Sequence, residues 1–201
     1  MNSLDTNILI YASNQDAPEH LKAQKLVGEL LAAPSEWIIA DQVLIEFYRA
    51  LRNPAVFQRP ASAPDAWDMV KFYREEAGCQ RCCFELQMWL PLEQHLRSRR
   101  FEAKRTFDAV LAITLISNTV DVFYTRNPKD FRGFGFPSSS IRLIESPTGL
   151  LRWPGAEDLI STIVMDRGRI SSHSIQTKCL RDLANPEVIE GLEVGNNRRG
   201  R

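Results

Sequence analysis

The sequence predicts an α/β fold in three layers, with a central parallel sheet of four or five short strands flanked by helices. Short β-rich runs alternate with longer stretches of helical periodicity, the pattern of repeated strand–helix–strand units. One of those stretches, Thr106 to Ile116, is apolar almost all round and so belongs inside a layered core. The composition suits such a fold: 201 residues, 44% apolar and 25% charged, with 25 basic and 25 acidic side chains cancelling to a formal net charge of 0. That balance excludes a disordered chain, a polybasic coat protein and a fibrous rod.

Each element has a local reason. The apolar run Leu4 to Tyr11 reads as a buried strand. His20 to Ala33 reads as a helix whose core face is Leu26, Val27, Leu30 and Leu31. Trp37 to Ala40 is a short apolar strand, and Asp41 then offers an N-cap for a helix through Val43, Leu44, Phe47, Tyr48 and Leu51 that stops before Pro54. Asn53 to Pro64 contains Pro54, Pro60 and Pro64 and reads as a loop; Pro64-Asp65 opens a helix to about Gly78, and Phe84 to Arg100 supplies another. After the apolar helix come a strand over Val120 to Thr125, a Gly/Pro/Asn loop over Arg126 to Pro137 and a last strand over Ile141 to Ile144. Residues 1–147 therefore read as one domain. Residues 148–201, where Gly, Pro and Ser interrupt every periodic run, read as a poorly ordered C-terminal extension with short helices at Ala156 to Met165 and Ile175 to Leu183.

Several function classes fall away at once. No apolar stretch approaches the roughly 20 residues that cross a bilayer, and the acidic Asp5 with no basic n-region argues against a signal peptide, so a cytoplasmic protein with no membrane partner is expected. Cys79, Cys82, Cys83 and Cys179 lack the second ligand pair of a zinc site and read as reduced thiols. His20, His95 and His173 sit near no nucleophile pattern, which leaves a Ser/His or Cys/His mechanism without material.

What remains is a set of carboxylates in apolar surroundings. Asp5 interrupts the first strand, Glu46 lies between Ile45 and Phe47, Asp108 lies in the first turn of the apolar helix, and Asp130 closes the loop before Phe131. A carboxylate among apolar neighbours costs several kcal/mol unless a cation or donors compensate it. In parallel α/β sheets functional groups collect beyond the carboxyl ends of the strands, and carboxylates gathered there need a cation. Oxygen ligands without histidine or thiolate favour Mg²⁺ or Mn²⁺ over Zn²⁺, and such ions most often serve phosphoryl transfer.

These same residues carry a resemblance. Leu4-Asp5-Thr6-Asn7-Ile8-Leu9 resembles the opening motif of PIN domains, Leu44 to Leu51 around Glu46 resembles their second acidic motif, and Thr106 to Ala112 around Asp108 resembles their third. Thr125-Arg126-Asn127-Pro128-Lys129-Asp130-Phe131 is similar to the fourth, with Asn127 where many relatives carry a metal-binding aspartate, so either Asn127 or Asp130 completes the site. Within PIN domains the chain is most similar to the VapC-type toxins of bacterial toxin–antitoxin pairs, over about residues 1–147. The resemblance implies a Mg²⁺- or Mn²⁺-dependent endoribonuclease that hydrolyses RNA phosphodiester bonds with a metal-activated water. It further implies a homodimer restrained by a small antitoxin.

On that reading Asp5, Glu46, Asp108 and Asp130 serve the metal and the chemistry. Thr6, Asn7, Thr125 and Asn127 hold those groups in place. Arg97, Arg99, Arg100, Lys104, Arg105 and Arg126 are the candidates for RNA phosphates, although a solvated basic helix end has the same composition. Two other readings stay open: a non-catalytic RNA-binding module of the same fold, and a structure-specific DNA nuclease using the same carboxylates.

Overall fold

The computed structural model describes residues 1–136 and 141–144. The expected extension over 148–201, with its two short helices, lies outside the described residues. In chain order the elements are β1 (Asn2–Leu4), α1 (Thr6–Ser13), α2 (His20–Ala32), β2 (Ile38–Ala40), α3 (Asp41–Leu51), α4 (Ala63–Lys71), β3 (Gln80–Cys82), α5 (Trp89–Leu96), α6 (Thr106–Ser117), β4 (Val122–Thr125) and β5 (Ile141–Leu143).

Among the described residues all strand pairs are parallel. β1 pairs with β4 and β4 with β5, while β2 pairs with β3. A parallel bridge between Asn2 and Trp37 joins the two sets, so the strands run in the order β3-β2-β1-β4-β5. β1, first in the chain, thus sits at the centre of the sheet, and its carboxyl end is where the chain delivers Asp5. The core on the two faces of the sheet is built from Leu4, Ile8, Leu9, Leu30, Ile39, Val43, Phe47, Leu115 and Phe123, all essentially without solvent contact. α6 is buried nearly all round, as its composition requires: Ala109, Leu111, Ala112, Ile113, Thr114 and Leu115 are all inside.

The structure corrects four local expectations. The run Leu4 to Tyr11 is not one strand; the chain leaves β1 at Leu4 and enters α1 at Thr6. A short apolar run with no polar alternation fits a buried helix as well as a strand, and here Ile8 and Leu9 are buried from the helix. Asp41 is the first helical residue of α3, with Ala40 in the cap position, so it serves the helix through its charge in the first turn. The helix expected from Pro64 to Gly78 ends as α4 at Lys71 and continues as a π-helical turn, Phe72–Glu76; Gly78 then takes φ +77° and turns the chain into β3. The helix expected over Phe84 to Arg100 is only α5, entered through a 3₁₀ turn at Leu86–Met88. β3, whose residues Gln80-Arg81-Cys82 carry no strand-like pattern, was not expected at all. Of the thiols described, Cys79, Cys82 and Cys83 are free.

Candidate active site

The carboxyl ends of β1, β2 and β4 lie side by side, and the chain places one functional segment at each. Asp5 sits between β1 and α1 with extended backbone (φ −81°, ψ 156°) in the N-cap position, yet its side chain makes no cap bond. It accepts instead from Asn7 Nδ2 (2.6 Å) and from Thr125 Oγ1 (2.7 Å), both onto Oδ2. Thr125, fully buried at the end of β4, also accepts from the Asn127 amide (3.0 Å), and Asn7 Oδ1 accepts from the Arg126 amide (3.3 Å). The first and fourth motifs are therefore one hydrogen-bonded unit, held in register by the Leu4–Tyr124 pairing and by the Asp5 amide donating to the Tyr124 carbonyl (2.9 Å).

Glu46 projects from α3, one turn beyond β2 and the start of that helix. Its carboxylate accepts from Thr6 Oγ1 (3.1 Å) and from Gln42 Nε2 (2.8 Å). Gln42 also donates to the Phe107 carbonyl (2.9 Å), tying α3 to the first turn of α6, where Asp108 lies. Gln42 Oε1 is buried beside Glu46 with no hydrogen-bond partner among the described residues. Gln42 was not foreseen; its spacing of one helical turn before Glu46 is the signal that points to it.

The electrostatics follow from the crowding. Burial pushes the Asp5 carboxyl up to about 6, opposed by the Thr125 hydrogen bond and reinforced by the charges of Glu46 and Asp108. Burial also raises Asp108, with the Asp130 and Glu46 charges adding and Arg105 opposing. The Glu46 and Asp108 charges thus act on Asp5, and the Asp130 and Glu46 charges on Asp108; among the described residues none of the four forms an ion pair with a basic side chain. Nor do any three acidic, histidine or cysteine side chains among the described residues close around a single point. The donor set is all oxygen, with the orphan Gln42 Oε1 beside Glu46, a chemistry that suits a hard ion rather than a soft one.

The basic residues divide. Arg99 and Arg100 are exposed, and Arg97 and Lys104 meet only exposed partners, Glu93 and Glu102 (2.8 Å each). Arg126 is different: Nε donates to Oε1 of the buried Glu19 (2.9 Å), an acid at the start of α2 that no local pattern marked. Arg105, itself half-buried, donates to the carbonyls of Asp130 (2.6 and 3.2 Å) and Arg132 (2.9 Å), so its guanidinium is engaged with the protein backbone. Asn127 is exposed and Asp130 half-buried.

Comparison with known proteins gives a consistent result. The PIN domain family model matches residues 3–136. The chain is 37% identical over 139 residues to Ribonuclease VapC24 of Mycobacterium tuberculosis, a match that covers 68% of this chain and 92% of that protein. It is 28% identical over 115 residues to VapC ribonuclease Mb2897 of Mycobacterium bovis, covering 57% of this chain and 78% of that protein, and equally to Ribonuclease VapC43 of Mycobacterium tuberculosis.

Proposed function

The chain belongs to the PIN-domain family, and from that premise we propose that it is a metal-dependent endoribonuclease, the toxin of a toxin–antitoxin pair. The observation that carries the reading is Asp5: a carboxyl pushed up to about 6, held by neutral donors, surrounded by acids and given no cationic partner by the described chain. Relatives named as VapC ribonucleases support RNA as the substrate, and the resemblance to VapC-type toxins implies a small antitoxin as the partner.

Asp5, Glu46, Asp108 and Asp130 hold Mg²⁺ or Mn²⁺, directly or through water. Bound there, the ion supplies the Lewis acidity that lowers the pKa of an attacking water and offsets charge on the phosphate. The protein's own part is positional. Thr125 and Asn7 fix the Asp5 carboxylate from β4 and α1, while Thr6 and Gln42 fix Glu46 from two sides. Asn127, whose amide is bonded to Thr125, orients the loop that carries Asp130. Arg97, Arg99, Arg100 and Lys104 attract the RNA backbone; the surface ion pairs of Arg97 and Lys104 are worth little in water and exchange readily for phosphate. Residues 1–147 form the nuclease domain. Two copies associate through the helices after Pro64, where Trp67, Leu86, Trp89 and Leu90 are all at least half exposed.

The test is cleavage of labelled RNA by the purified protein with Mg²⁺ or Mn²⁺, against a chelator control and the variants Asp5→Asn, Glu46→Gln and Asp108→Asn. Cleavage is expected with metal only and is lost in each variant. Cleavage that persists at an unchanged rate in chelator refutes the reading, and an inert wild-type protein that still binds RNA favours the non-catalytic module. Expression alone is expected to arrest bacterial growth, and co-expression of the antitoxin encoded beside it to relieve the arrest.

A further inference from the structure

We propose that Arg105 is a positioning residue for Asp130, a role that rests on the metal-site reading above. Arg105 immediately precedes α6, one helical turn before Asp108. Its Nη2 donates to the Asp130 carbonyl (2.6 Å) and the Arg132 carbonyl (2.9 Å), and its Nε to the Asp130 carbonyl again (3.2 Å). The guanidinium lies 4.9 Å from the centroid of Phe134, a buried ring met edge-on by His95 at 5.0 Å and Phe101 at 6.5 Å. One side chain thus spans the gap between the helix start that carries Asp108 and the loop that carries Asp130.

Arg105 adds a polar tie to a loop whose rings Phe131 and Phe134 are buried in the core. Between Arg126 and Phe136 the backbone forms no strand or helix, and Gly133 and Gly135 take φ +87° and +104°. Its leading end is pinned by the Arg126 amide on Asn7 and the Arg126 side chain on Glu19. Its middle, at Asp130 and Arg132, is gripped by Arg105. Holding the Asp130 carbonyl fixes the stretch of loop whose carboxylate charge is felt at Asp108. A planar fork that meets two carbonyls in fixed geometry while lying on an aromatic face is not reproduced by the compact ammonium of lysine on its flexible stem, so Arg105→Lys is not a conservative change.

The experiment compares full-length wild type, Arg105→Lys, Asp130→Asn and the double variant by Mn²⁺ affinity, read from the electron paramagnetic resonance of free Mn²⁺, and by RNA cleavage against Mn²⁺ and RNA concentration. Arg105→Lys is expected to weaken Mn²⁺ binding by about tenfold, in the range of losses seen when a residue orienting a ligand is changed, with the KM for RNA unmoved. The double variant is expected to bind Mn²⁺ no more weakly than Asp130→Asn alone, because a residue acting only through Asp130 has nothing further to lose. Unchanged Mn²⁺ affinity with a raised KM and a shallower salt dependence would make Arg105 a phosphate contact and overturn the proposal; so would additive losses in the double variant. If Arg105→Lys does not fold, Phe134→Leu, which keeps the guanidinium bonds and removes the ring beneath them, is expected to shift Mn²⁺ affinity in the same direction, and no shift refutes the role. A wild type that binds Mn²⁺ but cuts no RNA overturns the nuclease reading alone, since the Mn²⁺ arm still decides the role of Arg105. A wild type that binds no Mn²⁺ overturns both.

Discussion

Replacing Asp5 by Asn removes the charge that the site crowds most and keeps an oxygen to accept from Thr125 and Asn7. A carboxyl that holds its proton to about 6 instead of its ordinary value of 3.8 is ionised at neutral pH at the expense of the fold. At about 1.4 kcal/mol per pH unit of displacement, the ceiling on that expense is roughly 3 kcal/mol. Asparagine still has to desolvate its amide, so a net gain of about 1–2 kcal/mol is expected, and a domain of this size converts that into a rise in Tm on the order of 5 °C. The sign against pH follows from the raised value. The Asp5 contribution to stability is fully present below 3.8 and is lost as pH rises through about 6. The advantage of Asp5→Asn should therefore be largest at pH 7.5 and close by pH 4. The assay is calorimetric or fluorescence melting in chelator from pH 4 to 8. Added Mg²⁺ should then raise the wild-type Tm and leave the variant almost unmoved, reversing their order. A variant less stable than wild type in chelator at pH 7.5, or an advantage independent of pH, would refute the argument that burial and like charge dominate at Asp5.

Three further outcomes are expected. Asp130→Asn should lower the cleavage rate more than Asn127→Ala does, because the Asp130 charge is felt at Asp108 while Asn127 is exposed; a Mn²⁺ titration in which only Asn127→Ala raises the metal requirement reverses that order. Arg126→Ala should destabilise the fold by about 2 kcal/mol, less than the 3–5 typical of breaking a fully buried pair, because the arginine side chain is 36% exposed although its partner Glu19 is only 8% exposed; a melt within error of wild type refutes the structural role of the pair. Truncation after Pro147 should leave a soluble, active nuclease, since the family match ends at residue 136 and β5 ends at Leu143; insoluble protein would show that Leu150, Leu151, Trp153 or Ile160 belongs to the core.

The parts of this molecule that were legible in the sequence are those whose cause is local. α2, α3 and α6 announce themselves by periodicity, and the family is legible because four short motifs each keep their own spacing. The boundary at Asp5 was not legible, since apolar residues on both sides of it suit strand and buried helix alike. β3 was invisible because a three-residue polar strand earns its place only by pairing with β2. Around the site, the acids and the short polar side chains Thr6, Asn7 and Thr125 that bond to Asp5 and Glu46 could be named from the motifs, whereas the ties between distant segments could not. Glu19 and Arg126 are separated by 107 residues, and Arg105 and Asp130 by 25. The basic character of Arg105 and Arg126 pointed toward phosphate, and only the fold reveals the carbonyls and the buried acid that they meet. Gln42 is the intermediate case, near enough to Glu46 for helical spacing to suggest it.

The place of β1 between β2 and β4 bears on when the site comes into being. Asp5 and Thr125 are 120 residues apart, so the bond that fixes Asp5 closes nearly the whole described chain into one loop, and contacts of that span form late and slowly. During synthesis, at about 5–20 residues per second, β2 and β3 can pair while β1 still lacks its second neighbour. Asp5 and Glu46 are made early, but the strand that organises Asp5 and the loop that brings Asp130 leave the ribosome several seconds afterwards. A growing chain therefore carries its acids unassembled, and the site takes shape only once the last third of the domain has been threaded into the sheet.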